Sequence, residues 1–387
     1  MMGRVLKTNS AIVSELDKID WNFPRARTWV NALHALHWFP GNFIPQIPSY
    51  LIQSLSAVGD VVFDPFCGSC TSGVEALILG RQAWMSDFSP VSHLLAESKL
   101  RLLVDPRLRK RFVEVQIPPL LMTGQAVPEN RENLGELRAW FHKDTLEQLQ
   151  RLWAFIATCR EVRAPLEMLF SDTLFACAST FRAKTSSGKK RRHHWGWVAD
   201  NVRPKPPVWH DALRYFEDRL HRAKLVVSQL GECRSKFRLK KEDIRLCSYE
   251  SGSADLVVTS PPYLGMIDYT TANRLLYLWH GWDLPHDRAE EIGARSRRNA
   301  LSAPEKYLGD IEIAADQISR VLKPGAPCAL VIGASRKYPE MALKAIDEFG
   351  RRMKLIWGPT GRIPTRRRVS DRKGTPPAEY ICVLRKE

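Results

Sequence analysis

Long apolar runs are missing from this chain. No stretch approaches the ~20 consecutive residues that a bilayer-spanning helix needs. Charges also interrupt the apolar residues of the first twenty positions, so neither a membrane anchor nor an export signal is expected. Cysteine is thinly spread: the eight residues at 67, 70, 159, 177, 233, 247, 328 and 382 make no secreted disulfide framework. The expectation is a soluble protein of a reducing cytoplasm. Internal repeats and low-complexity tracts are absent as well, which removes repeat architectures from consideration. Acidic residues are in short supply: 42 Asp and Glu stand against 58 Lys and Arg, for a net charge of +16. That balance favours a polyanionic partner, most simply nucleic acid, although a basic surface can also serve solubility alone.

What is present is enough for a sizeable core, with 44% hydrophobic residues in 387, or one large domain or two ordinary ones. Residues 1–36 read as an amphipathic prelude, followed by a Pro-punctuated loop from His37 to Pro45 and a helix over 48–57. Val61-Val62-Phe63 reads as a short buried strand, 71–79 as a helix stopped by Gly80, and 82–85 as a second strand ending at Ser86-Asp87. The rhythm then breaks. Residues 136–181 carry Leu146, Leu149, Leu152 and Phe155 at helical spacing, 183–207 read as a basic loop, and 211–230 as a helix. Strands return at 255–258, 329–332, 354–357 and 380–384, with helices over 311–322 and 339–351. Strands alternating with helices predict a mostly parallel sheet covered on both faces. The strand–turn–strand tail predicts an antiparallel edge. Three regions follow: 1–104, where strands and helices alternate, 105–235 as a helical basic insertion, and 236–387, where the alternation returns.

The turn Asp64-Pro65-Phe66-Cys67-Gly68-Ser69 joins a strand to a helix. Small residues there let the backbone approach a ligand, and the helix aims its free N–H groups at it. An acid ending the next strand can hold ribose hydroxyls, and Asp87 stands 19 residues after Gly68, close to the ~20 expected. A Gly-bearing turn alone is weak evidence, since many strand-to-helix turns need one. Cys67-x-x-Cys70 has no second Cys or His pair at zinc-finger spacing, so no metal is expected.

The strongest local signal is Thr259-Ser260-Pro261-Pro262-Tyr263, at the end of a strand. Two prolines stiffen the turn, so Ser260 Oγ and the Pro261 carbonyl can be held toward one small volume beside the Tyr263 ring. An aromatic amine has a delocalised lone pair. Two acceptors placed there could take its N–H groups and draw its nitrogen toward tetrahedral geometry, readying it to attack an electrophile held in line.

Together these strings resemble the DNA amino-methyltransferases, over residues ~37–100 and ~240–335 and in the final strand. The first is similar to the family's S-adenosylmethionine (AdoMet) motif, down to Glu75-Ala76 in the following helix, and the second to its base-modifying motif. The resemblance implies a Rossmann-like fold with AdoMet as cofactor, and assigns Phe43, Asp64, Pro65, Phe66, Cys67, Gly68, Ser69, Asp87, Phe88 and Asp243 to it. It assigns catalysis to Ser260, Pro261, Pro262 and Tyr263 on a base flipped from the duplex. Ser at the first motif position implies cytosine N4, with adenine N6 as the alternative. Ring-carbon methylation would need a Pro-Cys loop where this chain has Pro-Pro-Tyr. Cys70 and Asn42 depart from the family, which usually has Gly and Lys there. Asp268 and Tyr269 read as pocket-lining or as caps of the next helix. The order of the two motifs looks permuted relative to many N4-cytosine enzymes.

The partners implied are double-stranded DNA and, where such an enzyme forms half of a restriction-modification pair, a cognate restriction endonuclease. Within the insertion, Lys189, Lys190, Arg191 and Arg192 precede Trp195 and Trp197, and Arg366, Arg367 and Arg368 form a second basic loop. Basic residues can offset phosphate charge while Trp rings stack on bases; a solvated charge run is the plain alternative. An RNA base methyltransferase, a non-catalytic DNA-binding relative and a small-molecule enzyme stay open, the last fitting the charge poorly.

Overall fold

Short apolar runs build the centre of a seven-stranded sheet in the computed structural model, which describes residues 8–23, 32–41, 44–119, 133–178, 195–363 and 379–387. In chain order the strands are β1 (Val61–Asp64), β2 (Gln82–Asp87), β3 (Phe237–Lys241), β4 (Leu256–Thr259), β5 (Pro327–Gly333), β6 (Lys354–Arg362) and β7 (Glu379–Arg385). They lie side by side as β3-β2-β1-β4-β5-β7-β6. The first five are parallel, and β7 runs antiparallel between β5 and β6. This is the Rossmann-like arrangement expected, with its reversed pair at one edge.

Successive strand residues point to opposite faces, and both faces are covered. Val62, Leu256, Val258, Ala329 and Val331 enter one apolar cluster. Phe63, Val257, Cys328, Leu330 and Ile332 enter the other. That explains why β1, β4 and β5 read as unbroken apolar runs rather than alternating ones. The helix Thr71–Ile78 follows β1 and ends before Gly80, whose φ of +78° suits a stop. Pro90–Val104 follows β2, capped by Ser89 Oγ accepting from Ser92 N.

The insertion is helical, as its spacing predicts: Lys143–Thr158, Arg163–Cys177 and Ala212–Ser228 are its main rods. It is not a separate body. Arg163–Cys177 packs on Pro90–Val104, and Leu166, Leu169 and Leu174 join the same cluster as Leu94 and Leu95 of the sheet-covering helix. Phe170, fully buried, stacks edge-on against Trp279 at 4.9 Å; burying such a ring is worth about 1.5–3 kcal/mol.

Several elements differ from the sequence expectation. Part of the expected loop over 183–207 is a short helix, Trp195–Ala199. The helix expected at 311–322 starts earlier, at Ala303, where Pro304 suits the first turn. Three short helices, Tyr269–Ala272, Arg274–His280 and Leu284–Glu290, fill the stretch after the Pro-Pro-Tyr motif. Strand β3 was not expected. No helix among the described residues is long and apolar enough to cross a membrane.

Candidate active site

Strands β1 and β4 are neighbours, so the two motif loops emerge side by side from the sheet's carboxyl end. A single hydrogen bond ties their first residues: Thr259 Oγ1 donates to Asp64 Oδ1 at 2.6 Å, across 195 residues of sequence. The same oxygen accepts from Phe66 N at 3.1 Å and so shapes the Pro65-Phe66 turn. Burial pushes the Asp64 carboxyl up to about 6. Asp64 is thus a structural pin behind the loop, and it does not line the pocket in front.

That pocket, with about 820 Å³ of space including its mouth, gathers much of what the sequence singled out. Pro65, Phe66, Cys67, Gly68 and Ser69 form one side, Asp87 and Phe88 come from the end of β2, and Asp243 from beyond β3. Ser260 and Pro262 close it from the Pro-Pro-Tyr loop. Gly68 takes φ +49° and donates its N–H to Asp87 Oδ2 at 2.9 Å. Asp87 Oδ1 accepts from Ser89 N at 3.0 Å. Burial raises the Asp87 carboxyl to about 6. Asp243 accepts from Arg245 N and pairs with the Arg245 guanidinium at 2.6 Å.

Cys70 sits in the left-handed region, at φ 65° and ψ 37°, where the family usually has Gly. A side chain there costs roughly 1–2 kcal/mol, and its sulfur needs space. Gly73 supplies it: a Cβ on Gly73 would lie 2.6 Å from Cys70 Sγ and 3.0 Å from Met85 Sδ. Burial pushes the Cys70 thiol up to about 12, so it is a neutral packing group. Beneath the loop the fully buried Lys99 donates to the Ser69 carbonyl at 2.8 Å, and burial lowers its amine to about 8.

The base-modifying loop is braced from two directions. Tyr307 Oη donates to the Pro262 carbonyl at 3.0 Å, while Ser260 Oγ and Tyr263 Oη lie 3.0 Å apart. The Tyr263 ring lies over Gly333 at the end of β5, where a Cβ would come within 2.2 Å of the ring. Pro261 is buried and Tyr263 half-buried; neither borders the pocket. The tyrosine that does border it is Tyr269, stacked on Phe39 with centroids 5.9 Å apart. Asp268 opens the Tyr269–Ala272 helix without a side-chain cap bond. The capping is done by Glu291, which accepts from Tyr269 N at 2.6 Å and Thr270 N at 3.0 Å. Burial pushes that carboxyl up to about 7.

Glu291, Lys99, Tyr307 and Gly333 escaped the sequence reading, for none sits in a motif. Phe43, Lys189, Lys190, Arg191, Arg192, Arg366, Arg367 and Arg368 lie outside the described residues. Trp195 opens the short helix Trp195–Ala199, and Trp197 is half-buried in it. That helix packs against Tyr269–Ala272.

The pocket's lining has a chemical bias. Its charged residues are Asp87, Asp243 and Glu291, with no Lys or Arg among them. Apolar Phe88 and Ile244 stand beside the acids. A flat heteroaromatic group, ribose hydroxyls and a cationic tail would meet apolar walls, a carboxylate acceptor and negative charge respectively. AdoMet has all three parts, so the residues present fit it.

Comparison with known proteins agrees. A family model described as DNA methylase, of the N6/N4 methyltransferase type, matches residues 10–97. The type II methyltransferase M.MjaII of Methanocaldococcus jannaschii is 33% identical over 421 residues, covering 85% of this chain and 78% of its own. The type II methyltransferase M.MvaI of Kocuria varians is 23% identical over 248 residues, covering 59% of this chain and 53% of its own. Among solved structures, an rRNA methyltransferase of Streptomyces viridochromogenes aligns at 14% identity and a TM-score of 0.36, covering 93% of this chain and 94% of its own. That likeness is too loose to bear on substrate. The similarity to M.MjaII over 85% of this chain and the match over residues 10–97 place the chain in the family of AdoMet-dependent DNA amino-methyltransferases.

Proposed function

We propose that this chain methylates the exocyclic N4 of cytosine within a specific sequence of duplex DNA, on a base flipped out of the helix. The observation that carries this reading is Ser260: it stands immediately before Pro-Pro-Tyr and borders the cofactor pocket. When bound, AdoMet would supply an electrophilic methyl group on a sulfonium that departs as a thioether, and the proton displaced from the amine nitrogen would leave along its hydrogen bond to Ser260 and pass to water. The chain's own work is positioning. Ser260 Oγ accepts one N–H of the target amine and the Pro261 carbonyl the other, which localises the nitrogen lone pair toward the methyl. Tyr263 holds the Ser260 hydroxyl through their 3.0 Å contact, and its ring flanks the base. Asp87 takes the ribose hydroxyls, Asp243 the adenine amino group, and Phe66 and Phe88 the apolar faces of the cofactor.

In the same reading the helical insertion of residues 105–235 contributes target recognition, with Trp197 in the short helix that packs on Tyr269–Ala272, and a cognate endonuclease is the partner where the enzyme belongs to a restriction-modification pair. Adenine N6 is the alternative, since its amine presents the same two N–H donors.

Nucleoside mass spectrometry on DNA treated with protein and AdoMet tests this. The expected product is N4-methylcytosine, reduced about 100-fold or more in Ser260→Ala, the scale for losing one preorganised hydrogen-bonding group. N6-methyladenine as the product would move the target to adenine and keep the roles. Full activity in Ser260→Ala would remove the serine from the mechanism.

A further inference from the structure

A second cleft, about 790 Å³ including its mouth, lies beside the first. The two share the segment 268–271: Tyr269 borders the cofactor pocket, while Asp268 and Thr271 border the second cleft. Its chemistry is the reverse of its neighbour's. Arg274, Arg288, Arg295 and Arg298 line it, with Asn201 and Asn299 adding neutral polar groups. Only two carboxylates border it, and both are engaged. Asp200 pairs with Arg295 at 3.2 Å, and the buried Asp268 accepts from Ser296 N at 2.8 Å.

Arg274, Arg288 and Arg298 form no ion pair with a carboxylate among the described residues. Arg274 is the most telling. Its Nη1 is buried and meets no hydrogen-bond acceptor among the described residues. Leaving a buried charged donor without an acceptor is costly. Burial depresses its ionisation, and repulsion from Arg203 and Arg288 adds to that, against opposing Glu136 and Asp200. A cluster of guanidinium groups with a buried donor lacking an acceptor calls for an anion with several oxygens. Arginine's planar fork suits phosphate in particular, because two parallel N–H bonds can meet two oxygens. The place matters as much as the charge, since the cleft adjoins the pocket that Ser260 and Tyr269 border.

We propose that this cleft grips a backbone phosphodiester of the substrate DNA next to the extracted nucleotide, with Arg274, Arg288 and Arg298 as its cationic contacts. The assignment rests on duplex DNA being the substrate. The phosphate-binding function would hold the strand while the base turns into the adjoining site, and sequence would be read elsewhere, because phosphate contacts position but do not specify.

The test is duplex-DNA binding by fluorescence anisotropy across a salt series, with AdoMet affinity measured alongside by calorimetry. Each neutralised phosphate contributes about 0.9 to the slope of log affinity against log salt. Arg288 is exposed, so Arg288→Gln leaves the core intact. It is expected to lower the slope by about 0.9, which is roughly an eightfold loss at 0.1 M salt, with AdoMet affinity unchanged. Arg274→Gln combined with Arg288→Gln is expected to lower the slope further. Lys354→Gln, at an exposed side chain on β6, controls for net charge and is expected to keep the wild-type slope. Wild-type slopes in both arginine variants would overturn the proposal while leaving DNA as substrate. An equal loss in Lys354→Gln would overturn it too, by reducing the effect to overall charge. A wild-type protein whose duplex binding ignores salt would remove the clamp and the DNA reading together.

Discussion

The acidic pocket and the arginine cleft stand back to back, divided by one turn of helix. The first presents Asp87, Asp243 and Glu291, the second Arg274, Arg288, Arg295 and Arg298. A net charge of +16 averages over both and foretells neither. The contrast teaches that composition reports the larger partner, a polyanion, while the small cofactor is matched by a local exception to it. It also separates two kinds of electrostatic work. The cleft's arginines act on a polyanion through counterion release and fade with salt. The pocket's carboxylates act at contact distance, where salt screens little, and burial raises those of Asp87 and Glu291.

The largest effect should come from neither cleft's charge but from the seat of the Pro-Pro-Tyr loop. In Gly333→Ala a Cβ would fall 2.2 Å from the Tyr263 ring, so the ring and its hydroxyl must move. Displacing a positioning group by about 1 Å can cost on the order of 100-fold in rate. Single-turnover kinetics should show that loss with AdoMet and DNA affinities both intact; a variant that turns over normally would show that Tyr263 does not set the geometry.

Next in size is Asp87, and it sharpens the contrast directly. Hydrogen bonds to a charged group are worth about 1.5–3 kcal/mol, so Asp87→Ala should weaken AdoMet by roughly 10- to 100-fold while the DNA salt slope stays put. Burial raises this carboxyl to about 6. The ionised form is the one that accepts ribose hydroxyls and attracts a cation, so affinity should fall as pH drops through that value and hold above it. Calorimetry from pH 5 to 8 checks the sign. A pH dependence that survives in Asp87→Asn would transfer it to Glu291, the pocket carboxyl raised to about 7, or to Asp64 behind the loop, raised to about 6.

The smallest effect probes the floor of the acidic side. Gly73→Ala should destabilise the fold by about 1–3 kcal/mol through overpacking, because its Cβ would press on Cys70 Sγ and Met85 Sδ. Thermal denaturation of the double variant, Cys70→Gly with Gly73→Ala, should recover most of that loss. Additive losses instead would mean that the two residues do not compensate each other.

The centre of the sheet was readable because its strands are buried on both faces and its loops carry rare strings. Asp64 to Ser69 and Thr259 to Tyr263 announce themselves through proline, glycine and fixed order, and Asp87 through distance. Strand β3 was not readable for a physical reason. As an edge strand, its sequence Phe237-Arg238-Leu239-Lys240-Lys241 is mostly basic, which protects an edge from pairing with other chains and hides it from a search for apolar runs. Arg238 and Lys240 repay their place by covering Trp84 and Tyr249 at 4.4 and 4.1 Å from the ring centres. Glu291 and Lys99 were illegible for another reason. Their roles depend on which backbone groups the fold brings to them, and no spacing along the chain encodes that. The short helices after the motif were hidden because no helical period can show itself in four to seven residues.

The thin partition between the clefts has a thermodynamic consequence. Tyr269–Ala272 is a single turn anchored by Glu291, and it contributes to both linings. Any shift of that turn on occupation of one side is felt at once on the other. Binding of AdoMet and of DNA is therefore expected to be linked, and linkage is reciprocal: the factor by which the cofactor changes affinity for DNA equals the factor by which DNA changes affinity for the cofactor.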